Sequence, residues 1–364
     1  MPGHPTPHTQ TYEPVNSGNG LPLHALAVLR ILIILAIGVG YASTMNIGME
    51  YYEWGNHWGY DPSWYGIQLL FIFSGFLAAR SMAQGRTIIA FFKSRFRSLW
   101  PALIAATLVV VCFIYPLMST PDPAVRMSAS DLAAYFFKTV FLIDLGARMP
   151  GLLDDAEYMC LLQGAIWTVR IGVILHVGFL LGWVTRMLRN RNIVLILSVF
   201  AIAIYVKLVD TAVANPEFGE RIKPVLPIFR LGYAYLAGVA LFMWQEKLQQ
   251  AKQKMILLPI LIALVTTAIY KWLPWSSIHE VLGVAVWTTV SLAFLQHAPL
   301  FLRHCPRLSP VLYVSIWPAA QIIVAFSPSA SQMGIIQMSA GLASIAAVLL
   351  FLGLCQARIQ PARL

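Results

Sequence analysis

An arginine stands inside a segment that is otherwise apolar enough to cross a lipid bilayer. Residues 21–43 read LPLHALAVLRILIILAIGVGYAS, and Arg30 lies in the first half of this segment. A charge at membrane depth costs several kcal/mol, so a residue of this kind normally belongs to a functional site. Arg30 is therefore the first candidate for a functional residue in this chain.

Other polar residues also fall within apolar segments. Tyr41 comes eleven residues after Arg30, which is close to three helical turns, or roughly 16 Å along a helix. Both side chains should therefore point to one face, on opposite sides of the bilayer midplane. Arg170 and Arg230 fall near the outer ends of their predicted spans, where a long side chain can reach the interface. His176, two turns beyond Arg170, is expected to be a satisfied core histidine.

A basic segment follows the second apolar stretch. Residues 80–100 read RSMAQGRTIIAFFKSRFRSLW, in which isoleucine and phenylalanine alternate with lysine and arginine. This pattern is typical of a basic amphipathic helix that binds lipid headgroups at a membrane surface. The alternative is a site for an anionic cytosolic ligand such as a nucleotide-bearing cofactor, because arginine can bind a phosphate through two parallel hydrogen bonds.

Two segments on the opposite side of the membrane have compositions suited to binding a sugar. The loop 44–64 is dense in tryptophan and tyrosine, which most often anchor a protein at the membrane interface. Alternatively, these rings form a carbohydrate-binding lip together with the polar side chains of the same loop. Those side chains are Glu50, Glu53, His57 and Asp61. The longer segment 118–166 carries six acidic residues, among them Glu157.

The composition indicates the class of protein that holds these residues. Hydrophobic residues make up 59% of the 364 residues, charged residues make up 11%, and the mean hydropathy is +0.71. A soluble domain would carry about 25% charged residues. The stretch 129–145 is interrupted by charges, and we predict an interfacial or re-entrant helix there. Apolar windows of about 20 residues predict an all-α polytopic integral membrane protein with about ten transmembrane helices, at 22–42, 65–82, 101–119, 167–187, 192–209, 226–245, 255–272, 280–298, 308–327 and 333–355.

The distribution of charge predicts the orientation of these spans. With the N-terminus in the cytoplasm, most lysines and arginines fall in inner loops and most acidic residues fall outside, which satisfies the positive-inside rule with both termini cytoplasmic. The net charge of +10 is explained by these loops, so no nucleic-acid partner is needed. Residues 1–20 are predicted to be a disordered cytoplasmic N-terminus, and residues 21–364 a single transmembrane domain. No metal-binding motif is present in the sequence.

The order and spacing of these features resemble those of the membrane-bound acyltransferase family 3, which includes O-acetyltransferases of bacterial surface and exported polysaccharides. The resemblance runs from about residue 22 to the end of the chain. The segments that carry it are AVLRILIILAIGVGYAS, GIQLLFIFSGFLAARSM, FFKSRFRSLWPAL, GAIWTVRIGVILH, YLAGVALF, SPVLYVSIWPAAQ and ARIQPARL.

This resemblance implies an enzyme of the bacterial inner membrane, with membrane lipid around it. Such an enzyme moves an acyl group, by family habit acetyl, from acetyl-CoA to a sugar hydroxyl of an exported polysaccharide or its lipid-linked precursor, as in xanthan-type polymers. The donor would contact Arg30, Ser74, Arg95 and Arg97, and no metal is implied. The acceptor would contact Trp54, Trp58, Trp167, Arg170 and Glu157.

Four positions depart from the family's pattern. Tyr41 stands where the family has a histidine, Gly172 where it has a glutamate, Ile316 where it has a histidine, and Gln360 where it has a glutamate. A tyrosine with an ordinary pKa of about 10 is a poor base at neutral pH. Catalysis would therefore fall to Tyr41 itself or to groups on the outer face such as His57 and Asp61, or it has been lost.

Two other functions remain open. A catalytically silent family member that acts as a partner of other polysaccharide-assembly proteins would explain the four departures. A transporter for a lipid-linked glycan or a small anion would explain the intramembrane arginines. The paired broken helices that usually point to transporter sites are not evident in the sequence.

Overall fold

The computed structural model describes residues 25–47, 62–144, 147–152, 163–250, 254–270, 277–298 and 309–325. This part of the chain is almost entirely helical and contains no β-strand beyond an isolated bridge between Ser119 and Leu152. The prediction of an all-α membrane protein is therefore confirmed. The predicted span at 333–355 and the loop 48–61 lie outside the described residues.

Twelve α-helices follow one another in the described residues. We number them in chain order, and one short 3₁₀ turn at Met187–Arg189 precedes the sixth. They are α1 (Leu26–Ile47), α2 (Pro62–Ala83), α3 (Ile88–Met118), α4 (Ala129–Val140), α5 (Ile166–Val184), α6 (Arg191–Ala214), α7 (Pro216–Ile222), α8 (Leu226–Met243), α9 (Gln245–Gln250), α10 (Lys254–Tyr270), α11 (Ser277–His297) and α12 (Ser309–Ala325).

Six of the described helices, α2, α3, α5, α6, α8 and α11, are long and apolar enough to cross a membrane. They coincide with six of the predicted spans, because a run of about 20 apolar residues matches the thickness of the hydrocarbon core. The first predicted span corresponds to α1, whose apolar part is the shorter stretch Leu26–Tyr41. The chain is thus a multi-pass membrane protein, while the count of ten spans and the position of the termini stay predictions.

The basic segment is not the separate helix that the sequence predicted. Helix α2 continues to Ala83 and is followed by a turn in which Gly85 adopts a φ of 77°. The Thr87 side chain then accepts a hydrogen bond from the Ala90 amide and starts α3. Helix α3 runs through Pro101 as one element, because a proline removes one backbone donor without preventing a long apolar helix from continuing.

Helix α3 contains a π-helical turn at Val110–Ile114. Such a turn inserts one extra residue into an α-helix and shifts the faces on its two sides relative to each other. Beyond it, Tyr115 is buried and packs with Tyr135, Met149 and Leu152. This second part of α3 thus has its own small core, formed with α4 and the segment that follows it.

Helix α4 begins with a capping box. The Ser128 hydroxyl and backbone N–H both donate to Asp131, at 2.6 Å and 3.1 Å, and the Asp131 amide donates back to the Ser128 hydroxyl. These donors stabilise the carboxylate and hold the pKa of Asp131 below its usual value. Phe137 and Phe141 are exposed on this helix or at its end. The segment 129–145 thus contains a helix, shorter than predicted, while its interfacial or re-entrant position stays a prediction.

Helices α2 and α8 pack with their backbones in contact at two glycines. A Cβ atom added to Gly75 would overlap the carbonyl oxygen of Tyr235, and one added to Gly238 would overlap the carbonyl oxygen of Ile72. Small residues allow this close approach between membrane helices, where dispersion contacts replace the hydrophobic effect as the driving force. The contact fixes Ser74, the neighbour of Gly75, relative to α8.

A buried polar network, which we call the Glu280 cluster, joins four of the helices. The Glu280 carboxylate has no solvent exposure. It accepts hydrogen bonds from the Gln68 amide at 2.6 Å, from the Tyr205 hydroxyl at 2.5 Å and from Trp64. The Tyr233 hydroxyl donates to the Gln68 carbonyl oxygen. These bonds connect α2, α6, α8 and α11 at the end of the bundle where α2 begins.

Replacing Glu280 with alanine is expected to destabilise the bundle by about 3 kcal/mol, because three buried donors lose their acceptor. Glu280→Gln keeps the shape and one acceptor oxygen, and should cost only about 1 kcal/mol. The measurement is thermal unfolding of the detergent-solubilised protein. The matched control is Glu220→Ala, which removes an exposed ion pair with Lys223 and should change stability by less than about 0.5 kcal/mol. Equal melting temperatures for Glu280→Ala and Glu220→Ala would contradict this role of the cluster.

Candidate functional site

A cavity of about 620 Å³ lies at the end of the bundle where α1, α3 and α12 begin. Helix α2 contributes residues from its middle turns, and α5 contributes residues from its first turn, at Thr168 and Val169, to its middle, at His176. Under the predicted topology this is the cytoplasmic end, opposite the Glu280 cluster. The polar side chains that line the cavity are Arg30, Ser74, Lys93, Arg95, Ser98, Thr168, His176, Ser309 and Tyr313.

The cavity carries positive charge that no carboxylate in the described part of its wall balances. Arg30, Lys93 and Arg95 line it, and no aspartate or glutamate is among the described residues that do so. Arg95 lies close enough to Arg30 for the two guanidinium groups to repel each other. The Nε atom of Arg30 is buried and has no hydrogen-bond partner in the described part of the chain. Two converging guanidinium groups without a counter-ion make a site for an anion.

The remainder of the wall is apolar. Ile34 of α1, Leu70 and Phe71 of α2 and several aromatic residues of α3 line the cavity beside the cationic groups. Gly172 of α5 also lines it, and an added Cβ at this position would make ordinary contact with Phe71, at 3.9 Å. The cavity can thus accept a ligand with an anionic part and a narrow apolar part.

His176 has one ring nitrogen that is hydrogen-bonded and one that is not, among the residues that the structure describes. Its Nδ1 lies 2.5 Å from the carbonyl oxygen of Gly172, and since a carbonyl oxygen can only accept, Nδ1 carries the proton. Nε2 is buried and has no hydrogen-bond partner among the described residues. The expectation of a satisfied core histidine is therefore wrong, because only one of the two ring nitrogens is hydrogen-bonded and the residue lines the cavity.

Aromatic neighbours hold the His176 ring. The ring centroids of Phe91 and Tyr235 lie 5.5 Å and 5.4 Å from that of His176. Arg95 interacts electrostatically with both His176 and Tyr235. The imidazole is therefore oriented by α3 and α8 as well as by its own helix.

Three hydroxyl groups form a hydrogen-bonded chain beside the cavity. Thr168 donates to the carbonyl oxygen of Ala165 at 2.8 Å, so the Tyr313 hydroxyl, 2.5 Å from Thr168, donates to it. Tyr41 in turn hydrogen-bonds to Tyr313 and packs edge-on against Trp317 with centroids 4.6 Å apart. Tyr41 itself does not line the cavity, whereas Thr168 and Tyr313 do. Of the two residues predicted to share a face of α1, Arg30 therefore lines the cavity directly, and Tyr41 is connected to it only through its hydrogen bond to Tyr313.

The other predicted site residues are only partly brought together. Arg30, Ser74 and Arg95 line the cavity, but Arg97 is exposed and does not. Trp167 is half-buried, with its ring 5.9 Å from the guanidinium carbon of Arg230, and Arg170 is exposed. The remaining predicted residues, Trp54, His57, Trp58, Asp61 and Glu157, lie outside the described residues.

Arg230 belongs to the opposite end of the bundle. Its guanidinium carbon lies 3.5 Å from the centre of the Trp64 ring, and it interacts electrostatically with Glu280. The sequence analysis missed Glu280, although a carboxylate within a predicted apolar span is itself a signal of a buried partner. It also missed Tyr313 and dismissed His176, since neither position carries a pattern that distinguishes it from packing residues.

A scan against protein-family models, a search of curated proteins and a search of solved structures each give no match to this chain.

Proposed function

We propose that this protein is a membrane O-acyltransferase that moves an acyl group, preferably acetyl, from acyl-CoA to a sugar hydroxyl. The acceptor is an exported polysaccharide or its lipid-linked precursor. The proposal draws on the resemblance to membrane-bound acyltransferase family 3. The observation that supports it best is the cavity in which Arg30 and Arg95 converge, with no carboxylate among the described residues that line it.

The donor matches the chemistry of this cavity. Coenzyme A joins a phosphate-rich nucleotide to a narrow, largely apolar arm that ends in the acyl thioester. The guanidinium group of Arg30 and the ammonium of Lys93 would bind the phosphates through charge-assisted hydrogen bonds, and Arg95 would contact the thioester end of the donor. The apolar wall at Ile34 and Phe71 would take the arm. The thioester would then lie deeper in the bundle than the nucleotide.

The acceptor would approach from the other end. Trp167 and Arg170 lie at the start of α5, on the side that the predicted topology places outside the cytoplasm. Aromatic faces pack well against the C–H faces of sugars, so Trp167 and the loop 44–64 are the proposed acceptor surface. In the overall reaction a sugar hydroxyl oxygen forms a bond to the acyl carbon, the carbon–sulfur bond breaks, and CoA leaves as the thiol. The proposed location is the bacterial inner membrane.

One observation favours the silent-partner alternative. Tyr41, at the position of the family's histidine, is buried and hydrogen-bonded to Tyr313 instead of lining the cavity. If this were the position of an essential base, the chain would lack catalysis and could still act within a polysaccharide-assembly complex.

The experiment that tests the proposal is the ester-linked acyl content of the host's secreted polysaccharide. It is compared between a deletion strain and the same strain complemented with the wild-type protein. Loss of acyl ester in the deletion strain and its return on complementation are expected. An unchanged acyl content would refute an acyltransferase role for this polymer.

Two neighbouring arginines of α3 provide a matched pair of variants. Arg95→Ala is expected to lower acyl transfer about tenfold or more, because the loss of a charge-assisted hydrogen bond to the donor costs about 1.5–3 kcal/mol. Arg97→Ala removes the same charge from an exposed side chain outside the cavity and should leave transfer within about twofold. The measurement is acyl transfer from labelled acyl-CoA by membranes with equal amounts of each variant. Equal losses for the two variants would point to a general effect of charge on α3.

A further inference from the structure

The proposed reaction places its two substrates at opposite ends of the bundle. The cavity with Arg30 and Arg95 lies where α1, α3 and α12 begin, and it extends along α5 to Thr168 and Val169, which neighbour Trp167 and Arg170 in the first turn of that helix. The phosphates of the donor are held at the first end. Because the cavity lining runs along α5 between these two regions, the acyl group can pass to the sugar within the cavity, either directly from CoA or through a side chain that holds it.

His176 has the geometry of a nucleophile within this cavity. The hydrogen bond from Nδ1 to the Gly172 carbonyl oxygen, at 2.5 Å, places the proton on Nδ1 and the lone pair on Nε2. Nε2 is buried and has no hydrogen-bond partner among the described residues, and the residue lines the cavity. Phe91 and Tyr235 pack against the ring and restrict its rotation. A nucleophile oriented by a second hydrogen-bonded group is the arrangement that covalent catalysis uses.

We propose that Nε2 of His176 accepts the acyl group from acyl-CoA, forming an N-acyl imidazolium, and passes it to the acceptor hydroxyl. This inference rests on the proposed function, and it replaces Tyr41, His57 and Asp61 with His176 as the residue that reacts with the acyl group.

The two steps balance as follows. In the first, the Nε2 lone pair attacks the thioester carbonyl carbon, a nitrogen–carbon bond forms, the carbon–sulfur bond breaks, and CoA leaves as the thiolate. The ring keeps its Nδ1 proton and its bond to Gly172 and becomes positively charged, while the thiolate takes a proton from water and leaves hydroxide. In the second, the sugar hydroxyl oxygen attacks the acyl carbon, and the nitrogen–carbon bond breaks with its electron pair returning to Nε2, which restores the neutral imidazole. The hydroxyl proton passes to water and neutralises the hydroxide. The sum is one ester and one CoA thiol.

Arg95 has a defined part in the first step. It interacts electrostatically with His176 and with Arg30. A guanidinium group next to the reacting nitrogen stabilises the negative charge that develops on the thioester oxygen and on the departing sulfur. In this step Arg95 acts at the thioester end of the donor, while Arg30 and Lys93 hold the phosphates.

The test uses the full-length protein in lipid nanodiscs, with acetyl-CoA and tritium-labelled CoA and no sugar acceptor. An acyl-enzyme predicts that tritium moves into acetyl-CoA. His176→Gln should lower this exchange about 100-fold or more, while CoA binding stays within about threefold of the wild type. Arg97→Ala, whose side chain is outside the cavity, should exchange as the wild type does.

A second measurement does not depend on a variant. The wild-type protein is incubated with carbon-labelled acetyl-CoA, quenched and digested with trypsin, which releases residues 171–186. In this peptide only His176 and Thr185 can carry an acyl group, and hydroxylamine at neutral pH removes it from an imidazole but not from a threonine. Hydroxylamine-labile label in this peptide supports the proposal even if His176→Gln does not fold.

The outcomes distinguish a failure of the acyl-histidine from a failure of the proposed function. If the wild-type protein binds CoA and acylates the polysaccharide but shows neither exchange nor labelled peptide, the acyl-histidine is refuted and direct transfer stands. If His176→Gln still exchanges, another residue is the nucleophile and the proposal is wrong. If the wild-type protein neither binds CoA nor acylates, the proposed function fails and the acyl-histidine fails with it.

Discussion

Arg30→Ala is expected to abolish acylation of the secreted polysaccharide in a complemented deletion strain at matched protein levels. Its guanidinium group lines the cavity, and its buried Nε has no hydrogen-bond partner in the described residues. The loss of one charge-assisted hydrogen bond costs about 1.5–3 kcal/mol, and two parallel bonds to a phosphate would cost more. We therefore expect CoA binding by the purified variant to weaken about 100-fold or more.

The substitution should not harm folding, and this makes the result interpretable. Removal of a charge from membrane depth relieves a cost, and Arg95 repels Arg30 in the absence of an anion. Arg30→Ala is therefore expected to melt at the wild-type temperature or above it. A variant that is more stable and yet inactive is the signature of a residue kept for function.

Arg30→Lys is the companion variant. It keeps the charge and loses the planar fork of donors, so it should retain part of the affinity for CoA. If both variants restore full acylation in the deletion strain, Arg30 does not hold the donor, and the silent-partner function becomes the better explanation. Thermal melting and equilibrium CoA binding complete the comparison.

Gly75→Ala and Gly238→Ala are each expected to destabilise the protein by about 3 kcal/mol. A Cβ atom at either position would overlap a carbonyl oxygen on the facing helix. Overpacking of this kind usually costs about 1–3 kcal/mol, and here the obstacle is backbone, which cannot rotate away as a side chain can. The two helices must separate, and with them Ser74 on the cavity side and Tyr235 beside His176.

The chain supplies a control for this pair of substitutions. Gly178 of α5 has open space around the position of an added Cβ. Gly178→Ala should therefore stabilise α5 slightly, by up to about 1 kcal/mol, because alanine has the higher helix propensity. Melting in detergent and abundance in the membrane measure all three variants. If Gly75→Ala is as stable as Gly178→Ala, the close contact of α2 and α8 is not what holds the bundle.

The two interface glycines should also be coupled. Once one added methyl group has separated α2 from α8, the second meets less resistance. The double variant Gly75→Ala/Gly238→Ala should therefore lose less stability than the sum of the two single variants.

Hydropathy predicted the helices well and the site only in part. Apolar windows located the six long spans because membrane thickness sets a length that the sequence must match. Pro101 suggested a boundary between a surface helix and a span, whereas α3 passes through it, since a local signal does not include the packing that keeps a helix continuous.

The sequence identified some residues of the site, and others were recognised only in the folded structure. Arg30 was identified because a charge in an apolar segment is visible without a fold. Its convergence with Arg95 followed only from the family resemblance, and Tyr313 lies 145 positions from its partner Thr168. His176 looked like a core residue because nothing in the sequence shows which of its two nitrogens will be bonded. Pairing of distant side chains is a property of the packed bundle.

The π-helical turn of α3 allows the two halves of this helix to direct their side chains to different parts of the structure. Each residue of an α-helix advances the chain by about 100° around the axis, so one extra residue at Val110–Ile114 rotates one half of α3 against the other by that angle. The first half directs Lys93 and Arg95 to the cavity, and the second directs Tyr115 to Met149 and Leu152. In a regular α-helix of this sequence, one of these two sets of side chains would point away from its contact. Deleting a single apolar residue from the turn would thus rotate the cationic wall out of register with the segment that anchors it, with no change in charge.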